Sequence, residues 1–313
     1  MPGDLAVVIV SHECAPYLGP CLRSVLGHAG GADLDVVVVD AGSTDGGPEL
    51  VERGFPAVRV LRGPNRGFAH ANNLGVLATD APFVLFLNPD TEILEGTLGE
   101  LVARLAQRPR VGLAGCRQVG PDGALAPSIR RFPSPTRAFM EALGSERLPV
   151  RASWLGEREL DPAAYARETA CDWTSGSFMV ARRDALLAAG LMDERFFIYC
   201  EEPDLCRRIK AAGWEVAHLP AMTILHHAGK SGWSERLVAQ DAYARRQYYT
   251  KHLPPARARM AVAAHALGLA LRAALGAPDR RRACRAGLRT LAGRVPPPFG
   301  PPPPTALGGR HGD

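Results

Sequence analysis

No two of the seven cysteines form a C-x-x-C pair, and no Cys/His cluster has zinc-finger spacing. An odd, scattered set of thiols fits a reducing, cytoplasmic setting better than a disulfide framework. No run of about 18 apolar residues occurs, so no stretch reads as a membrane span by itself. A basic segment followed by a long apolar run is also missing at the N-terminus, where strand-like residues begin by Leu5. Neither G-x-x-x-x-G-K-[ST] nor G-x-G-x-x-G is present, which takes away the usual support for a P-loop ATPase or a dinucleotide enzyme. The formal charge of +5 is not spread over the chain: residues 251–313 hold 11 Lys/Arg against 2 Asp/Glu, leaving the preceding 250 residues slightly acidic. That distribution excludes a nucleic-acid binder built on the whole fold.

What is present is a set of short apolar runs that stop at polar residues. Phe83-Val84-Leu85-Phe86-Leu87, between Pro82 and Pro89, predicts a strand buried on both faces of a sheet. Pro89 ends the ladder and turns the chain, so Asn88 and Asp90 are presented at the carboxyl end of the strand, where ligands of open α/β sheets gather. One hard oxygen ligand there suits a divalent cation that also holds phosphates; a loop aspartate capping the next helix is the competing reading. Leu5-Ala6-Val7-Val8-Ile9-Val10 runs into Ser11-His12-Glu13, and Leu34–Asp40 is a further buried strand ending in a carboxylate. Between them, Leu18, Cys21, Leu22, Val25 and Leu26 share one helical face. Val58–Leu61 is a shorter strand. This alternation predicts an α/β fold with a parallel sheet and right-handed crossovers.

Two polar stretches carry candidate chemistry. Pro64–Gly75 is a glycine-punctuated loop that opens a helix, in which Gly67 would let backbone approach a ligand and Asn72 and Asn73 would offer donors and acceptors to a sugar or base. A turn with a helix cap explains the same residues. In Glu201-Glu202-Pro203-Asp204, proline suits the first helical position, which makes Glu202 the N-cap and puts Asp204 in the first turn. Three acids there also satisfy the helix dipole with no further role.

The motifs Val7–Ser11, Val38–Gly46, Asn65–Asn73, Asn88-Pro89-Asp90, Gly176–Met179 and Phe196–Cys206 occur in an order that resembles family-two inverting glycosyltransferases with the GT-A fold, from about Leu5 to about His252. Ser128–Ser134, Asp172–Gly176 and Tyr248–His252 are most similar to the bacterial rhamnosyltransferase branch. The resemblance implies a Rossmann-like, mostly parallel sheet flanked by helices. Residues 1–115 would be the nucleotide-sugar-binding half, 116–252 the acceptor-binding and catalytic half of the same domain, and 253–313 a basic helical and proline-rich extension. It implies that Asp40 contacts the nucleotide base, that Ser11, Glu13, Asp45, Asn65, Gly67, Asn72, Asn73 and Asn88 line the nucleotide and donor sugar, and that Asp90 and His226 hold Mg²⁺ or Mn²⁺. The catalytic base would be Glu202, with Glu201 or Asp204 as alternatives. Four positions depart from the family pattern: Ala41 and Glu13 stand where asparagine is frequent, Asn88 stands where another carboxylate is frequent, and Glu202 stands where aspartate is usual.

The acceptor would lie along Gln118–Glu168, a stretch rich in proline and arginine, with Trp173 stacking on a sugar ring beside Gly176, although a lone tryptophan is equally a core residue. Arg130 and Arg131 could meet a phosphate-bearing acceptor. Beyond Lys251, Met260–Leu271 forms a helical segment too short to span a bilayer, with Met260, Ala264, Leu267 and Leu271 on one face. With Arg280–Arg282, Arg285 and Arg289 after it, the segment could rest on anionic lipid at the inner face of a cell membrane, or could be a docked helix with a solvated arginine face. Pro296–Pro304 reads as extended or disordered. The expected activity is transfer of a sugar, L-rhamnose from dTDP-rhamnose, onto a glycan or lipid-linked acceptor in envelope polysaccharide synthesis. The alternatives are an inactive nucleotide-sugar-binding scaffold and, with less support, a sugar-phosphate nucleotidyltransferase, which would need a glycine- and arginine-rich loop where Ser11-His12-Glu13-Cys14 stands.

Overall fold

All seven residues of β1 (Leu5–Ser11) are buried, because helices cover both faces of the sheet it belongs to. The computed structural model describes residues 3–144, 154–227 and 234–299. After β1 come α1 (Ala15–Gly27), β2 (Leu34–Ala41), α2 (Gly47–Gly54), β3 (Arg59–Gly63), α3 (Phe68–Leu77) and β4 (Phe83–Leu87). β1 pairs in parallel with β2 and β4, and β2 with β3. The apolar runs of the sequence thus become one parallel half-sheet whose carboxyl ends share an edge.

The second half continues the same sheet. It comprises β5 (Thr91–Glu95), α4 (Leu98–Ala106), β6 (Val111–Val119), β7 (Ile129–Arg130), α5 (Pro135–Ala142), α6 (Pro162–Tyr165), β8 (Thr169–Ala170), β9 (Trp173–Thr174), β10 (Phe178–Arg182), α7 (Arg183–Ala189), α8 (Glu201–Ala211) and β11 (Glu215–His226). The strand order is β3-β2-β1-β4-β10-β6-β11-β5, with β8 on β11, while β7 and β9 form a separate pair. β10 runs antiparallel between β4 and β6, so its amino end lies at the carboxyl end of β4. The boundary expected at residue 115 falls inside β6.

Alternation along β1 sorts the core into two layers. Leu5, Val7 and Ile9 pack with Leu18, Cys21, Leu22 and Val25 of α1. Ala6, Val8 and Val10 pack on the other face with Ala69 and Val76 of α3 and with Leu205 and Ile209 of α8. All seven cysteines are unbridged.

The chain then forms α9 (Glu235–His252), α10 (Pro255–Leu275) and α11 (Pro278–Leu291). Tyr248, Tyr249, Ala258 and Ala261 pack with Phe196 and Ala138, which docks this helical layer onto α5 and the segment before α8. α10 is 21 residues long with mean hydropathy 1.3, so by length and composition it could cross a membrane, although a third of that window is buried inside the fold. The large apolar residues Met260 and Leu267 are not on the docked face. Ala258, Ala261, His265, Gly268, Leu269 and Ala273 are buried, whereas Met260 is 62% and Leu267 38% exposed. Small residues let α10 approach α5 closely, and an apolar periodicity built on large side chains misses them. Residues 300–304 of the proline-rich stretch lie outside the described residues, as do 228–231 after His227.

Candidate functional site

At the carboxyl ends of β1 and β2, parallel register sets Ser11 beside Asp40. Asp40 is 3% exposed. One of its carboxylate oxygens accepts the Ser43 N–H at 3.1 Å, while the other, like the Ser11 hydroxyl, is buried with no hydrogen-bond partner among the described residues. A buried polar atom without a partner costs about 1–3 kcal/mol, which marks this point as built for a hydrogen-bonding ligand. The rim is held by two other acids. Glu13, at φ +52°, accepts the Thr44 N–H at 2.9 Å and its hydroxyl at 3.1 Å. Asp45 accepts from Ala15 N at 2.7 Å and Gly47 N at 3.0 Å, capping the starts of α1 and α2. In this structure Glu13 and Asp45 tie the two loops together.

The Asn65–Asn73 loop is turned toward protein. Asn65 Oδ1 accepts the Gly67 N–H at 3.1 Å, and Phe68 N–H donates to Phe197 O at 2.6 Å. Gly67 has φ +102°, and a Cβ there would come within 2.5 Å of Phe197 O. The close approach that requires glycine is therefore to the 197 backbone and not to a ligand. Asn73 donates to Met192 O at 2.9 Å and Glu194 Oε1 at 3.1 Å and accepts from Met192 N at 3.0 Å, while Asn72 donates to Phe68 O at 3.0 Å. At 1% and 2% exposure, Asn72 and Asn73 have no surface to offer a sugar. The loop instead clamps residues 192–197, the segment that leads into α8.

Asp90 and His226 do come together. Antiparallel pairing of β11 with β5 sets His226 opposite Thr91, the His227 N–H donates to Asp90 O at 2.9 Å, and His226 Nε2 lies 3.5 Å from Asp90 Oδ1. Both side chains keep some exposure, 17% for the histidine and 29% for the aspartate. Among the described residues no group of three or more His, Cys, Asp or Glu could hold a metal alone. A carboxylate and an imidazole on two strand ends, with open positions beside them, nevertheless fit a hard cation that takes its remaining ligands from phosphate and water. Asn88 is adjacent and partly exposed; its N–H donates to Ser177 O at 3.0 Å.

The acids of α8 have three different environments. The N-cap is Cys200, not Glu202, and no side chain caps the helix. Tyr199 and Cys200 both adopt left-handed backbone, at φ +72° and +67°. Such strain, of order 1–3 kcal/mol per residue, recurs where a site must be aimed. Pro203 therefore lies in the third helical position, behind Glu201 and Glu202. Asp204 is fully buried and held by Arg208 at 2.7 Å, Lys251 at 2.5 Å and His252 at 2.6 Å. Burial pushes its pKa up, but His252, Arg208 and Lys251 more than reverse this and leave it low. A carboxylate so neutralised is a poor proton acceptor, and Asp204 belongs to the scaffold.

Glu201 is 3% exposed with one carboxylate oxygen unpartnered; burial and the neighbouring Glu202 charge raise its pKa well above the usual range. Glu202 is half-buried, and one of its oxygens accepts the Gly176 N–H at 3.2 Å. Burial raises its pKa, opposed by backbone donors including Gly176 and by the charge of Arg130. A Cβ on Gly176 would sit 2.6 Å from that oxygen, so glycine is what lets this N–H reach the carboxylate. Trp173 is 9% exposed. Its indole N–H donates to Arg131 O at 2.9 Å, and Arg130 Cζ lies 5.3 Å from its ring centroid. The ring is covered and does not offer a stacking face to an acceptor.

The sequence reading missed the clamp on Asp204. Its residues, Lys251 and His252, stand in the Tyr248–His252 motif, whose use becomes visible only once α9 is packed on α8.

Comparison with known proteins bears on the family and the fold. The glycosyl transferase family 2 model matches residues 6–159. The chain is 36% identical over 246 residues to the N-acetylglucosaminyl-diphospho-decaprenol L-rhamnosyltransferase of Mycobacterium tuberculosis, covering 74% of this chain and 78% of that one. It is 24% identical over 233 residues to rhamnosyltransferase WbbL of Escherichia coli (strain K12), covering 71% and 83%. The mannosyltransferase PcManGT of Pyrobaculum calidifontis, solved with GDP-Man and Mn²⁺, superposes with a TM-score of 0.57 at 18% identity, over 94% of this chain and 87% of its own.

Proposed function

The chain belongs to glycosyl transferase family 2, and from that premise we propose that it transfers an L-rhamnosyl group from a dTDP-linked donor, with inversion, to a saccharide carried on a lipid diphosphate. The observation that carries this reading is the short bridge between the two candidate centres. Asn88, two residues before Asp90, donates to Ser177, and Gly176 beside it donates to Glu202. The strand end suited to the donor diphosphate and the carboxylate suited to take a proton are thus joined through four backbone positions.

Asp40 and Ser11 receive the nucleotide base through their unpartnered buried atoms. Asp90 and His226 would hold Mg²⁺ or Mn²⁺, which when bound neutralises charge on the diphosphate. Glu202, ionised, accepts the proton of the acceptor hydroxyl; the oxygen bonds to the anomeric carbon from the face opposite the nucleotide, and the bond from that carbon to the diphosphate breaks. Glu201, buried beside it, has its own pKa raised by burial and by the Glu202 charge, so a second negative charge is disfavoured there. The apolar outer face of α10 and the arginines of α11 would rest on the cytoplasmic face of the membrane that carries the acceptor.

The test is release of dTDP from dTDP-rhamnose, with a short-chain prenyl-diphospho-N-acetylglucosamine as acceptor and Mn²⁺ present. The expected result is release that depends on acceptor and on metal. Donor binding without release of nucleoside diphosphate, across a broad panel of nucleotide sugars and acceptors, would instead identify an inactive scaffold.

A further inference from the structure

Outside the donor crevice, a cavity of about 460 Å³ lies between α5, α9, α10 and α11, a size typical of small-ligand sites. Arg130, Arg158, Arg245, Arg272 and Arg280 line it. Among the described residues, two carboxylates, Glu141 and Asp241, face them from its walls. Arg245 engages both, at 3.7 and 3.3 Å, and Glu157 at 3.0 Å, and five arginines against two wall carboxylates give the described lining a cationic excess. Two polar groups on its walls are buried without a hydrogen-bond partner among the described residues, Arg130 Nε and His265 Nε2. His265 is 9% exposed, and burial, with the charge of Arg245, lowers its pKa to about 4, so the ring is neutral near pH 7 and offers hydrogen bonding without charge.

The cavity lies near the start of α8, which carries the proposed base. Among the described residues none before Arg130 lines it, whereas Tyr199, two residues before Glu201, does. Arg130 is also the cation whose charge acts on Glu202. An anion held there stands apart from the donor diphosphate yet close to the carboxylate that must meet the acceptor hydroxyl. One wall is α10, whose outer surface carries the exposed Met260, Leu267 and Leu275.

Resting on the acceptor class argued above, we propose that this cavity binds the diphosphate of a lipid-linked saccharide acceptor, so that Arg272 and Arg280 fix the acceptor's anionic bridge while its sugar reaches Glu202 and its lipid leaves along α10. The C-terminal helices are then an acceptor-recognition element built onto the transferase sheet.

The experiment compares two probes on the full chain by calorimetry: a short-chain prenyl-diphospho-N-acetylglucosamine and an alkyl N-acetylglucosaminide of similar chain length. Loss of charge-assisted hydrogen bonds predicts that Arg272→Gln with Arg280→Gln weakens the diphosphate probe by about 10-fold or more. Affinities for the alkyl glycoside and for dTDP-rhamnose stay within about 2-fold, and Arg272→Lys in place of Arg272→Gln recovers part of the loss. An unchanged affinity for the diphosphate probe, or equal weakening of both probes, overturns the proposal. Should the double variant fail to fold, competition decides: in metal-free buffer, inorganic pyrophosphate must displace the diphosphate probe from the wild-type chain and leave the alkyl glycoside bound, and failure to do so overturns it too. If the diphosphate probe binds through these arginines but receives no sugar, the cavity assignment stands and the transferase reading falls. If both probes are glycosylated equally well and the variants change nothing, the reverse holds.

Discussion

The end of β4 and the first turn of α8 both bring carboxylates to one crevice, and they treat them in opposite ways. Asp90 sits at a strand end, partly exposed, with one imidazole 3.5 Å away. Asp204 is fully buried among Arg208, Lys251 and His252, and Glu202, two residues earlier in the same helix, is half-buried with one backbone donor. An acid left open at a strand end can take a ligand from solution, an acid surrounded by cations is structural, and an acid buried with few donors is poised to hold a proton. Residue type does not separate these roles; the number of cations within reach does.

Breaking the structural member should have the largest effect. Asp204→Asn leaves Arg208 and His252 without their buried counter-charge and Lys251 with Asp193 as its remaining carboxylate, and is expected to destabilise the fold by about 3–5 kcal/mol, read by urea unfolding. Because the pKa of Asp204 is lowered in the folded state, its contribution is present above the unfolded carboxylate pKa and is lost as pH falls through the folded value. The wild-type chain should therefore lose this stability on acidification and Asp204→Asn should not.

Next comes Glu202→Gln, which keeps size and the contact with Gly176 but cannot take a proton. Turnover should drop about 10²-fold or more, with folding and donor affinity unchanged. Thermal shift with dTDP-rhamnose measures the second point, since a ligand that binds only the folded state raises its stability. A smaller effect is expected at the open site: Asp90→Ala should remove the gain in donor affinity that Mn²⁺ provides and leave the melting temperature without ligand nearly unchanged, because a partly exposed strand-end side chain contributes little to the core.

The smallest change is one of pH. The pKa of Glu202 is raised by burial, so its neutral form is favoured in the folded state; the stability this gives is full below the unfolded pKa and is lost as pH rises through the folded one. Activity runs the other way, since only the ionised form accepts a proton. The acid limb of kcat should lie above the ordinary glutamate range, and Gly176→Ala, which displaces a donor from the carboxylate, should move the limb further up.

The parts legible in the sequence were those written in local pattern. The apolar runs ending at Ser11, Asp40 and Asn88 named three strands and the crevice at their ends, whereas His226, the last residue of β11, was named from the family resemblance. Asn72 and Asn73 misled because a polar pair in a loop reads as ligand-binding until a distant segment, here Met192–Glu194, is known to use it. Pro203 suggested a helix start two residues late, since left-handed backbone at Tyr199 and Cys200 leaves no mark in residue types that rarely adopt it. The docked side of α10 was not legible because it is lined mostly by alanine, glycine and histidine. Arg130 and Arg280 were noted in the sequence, but the cavity they line has no local pattern, because its arginines come from five separate segments.

The central claim is that donor binding and proton removal are divided between the end of β4 and the first turn of α8. The most direct test is a single-turnover measurement, with Glu202→Gln saturated with dTDP-rhamnose and Mn²⁺ and then mixed with the lipid-diphosphate acceptor. The account predicts donor occupancy equal to wild type and a transfer step about 10²-fold slower or more. Transfer at the wild-type rate would contradict it.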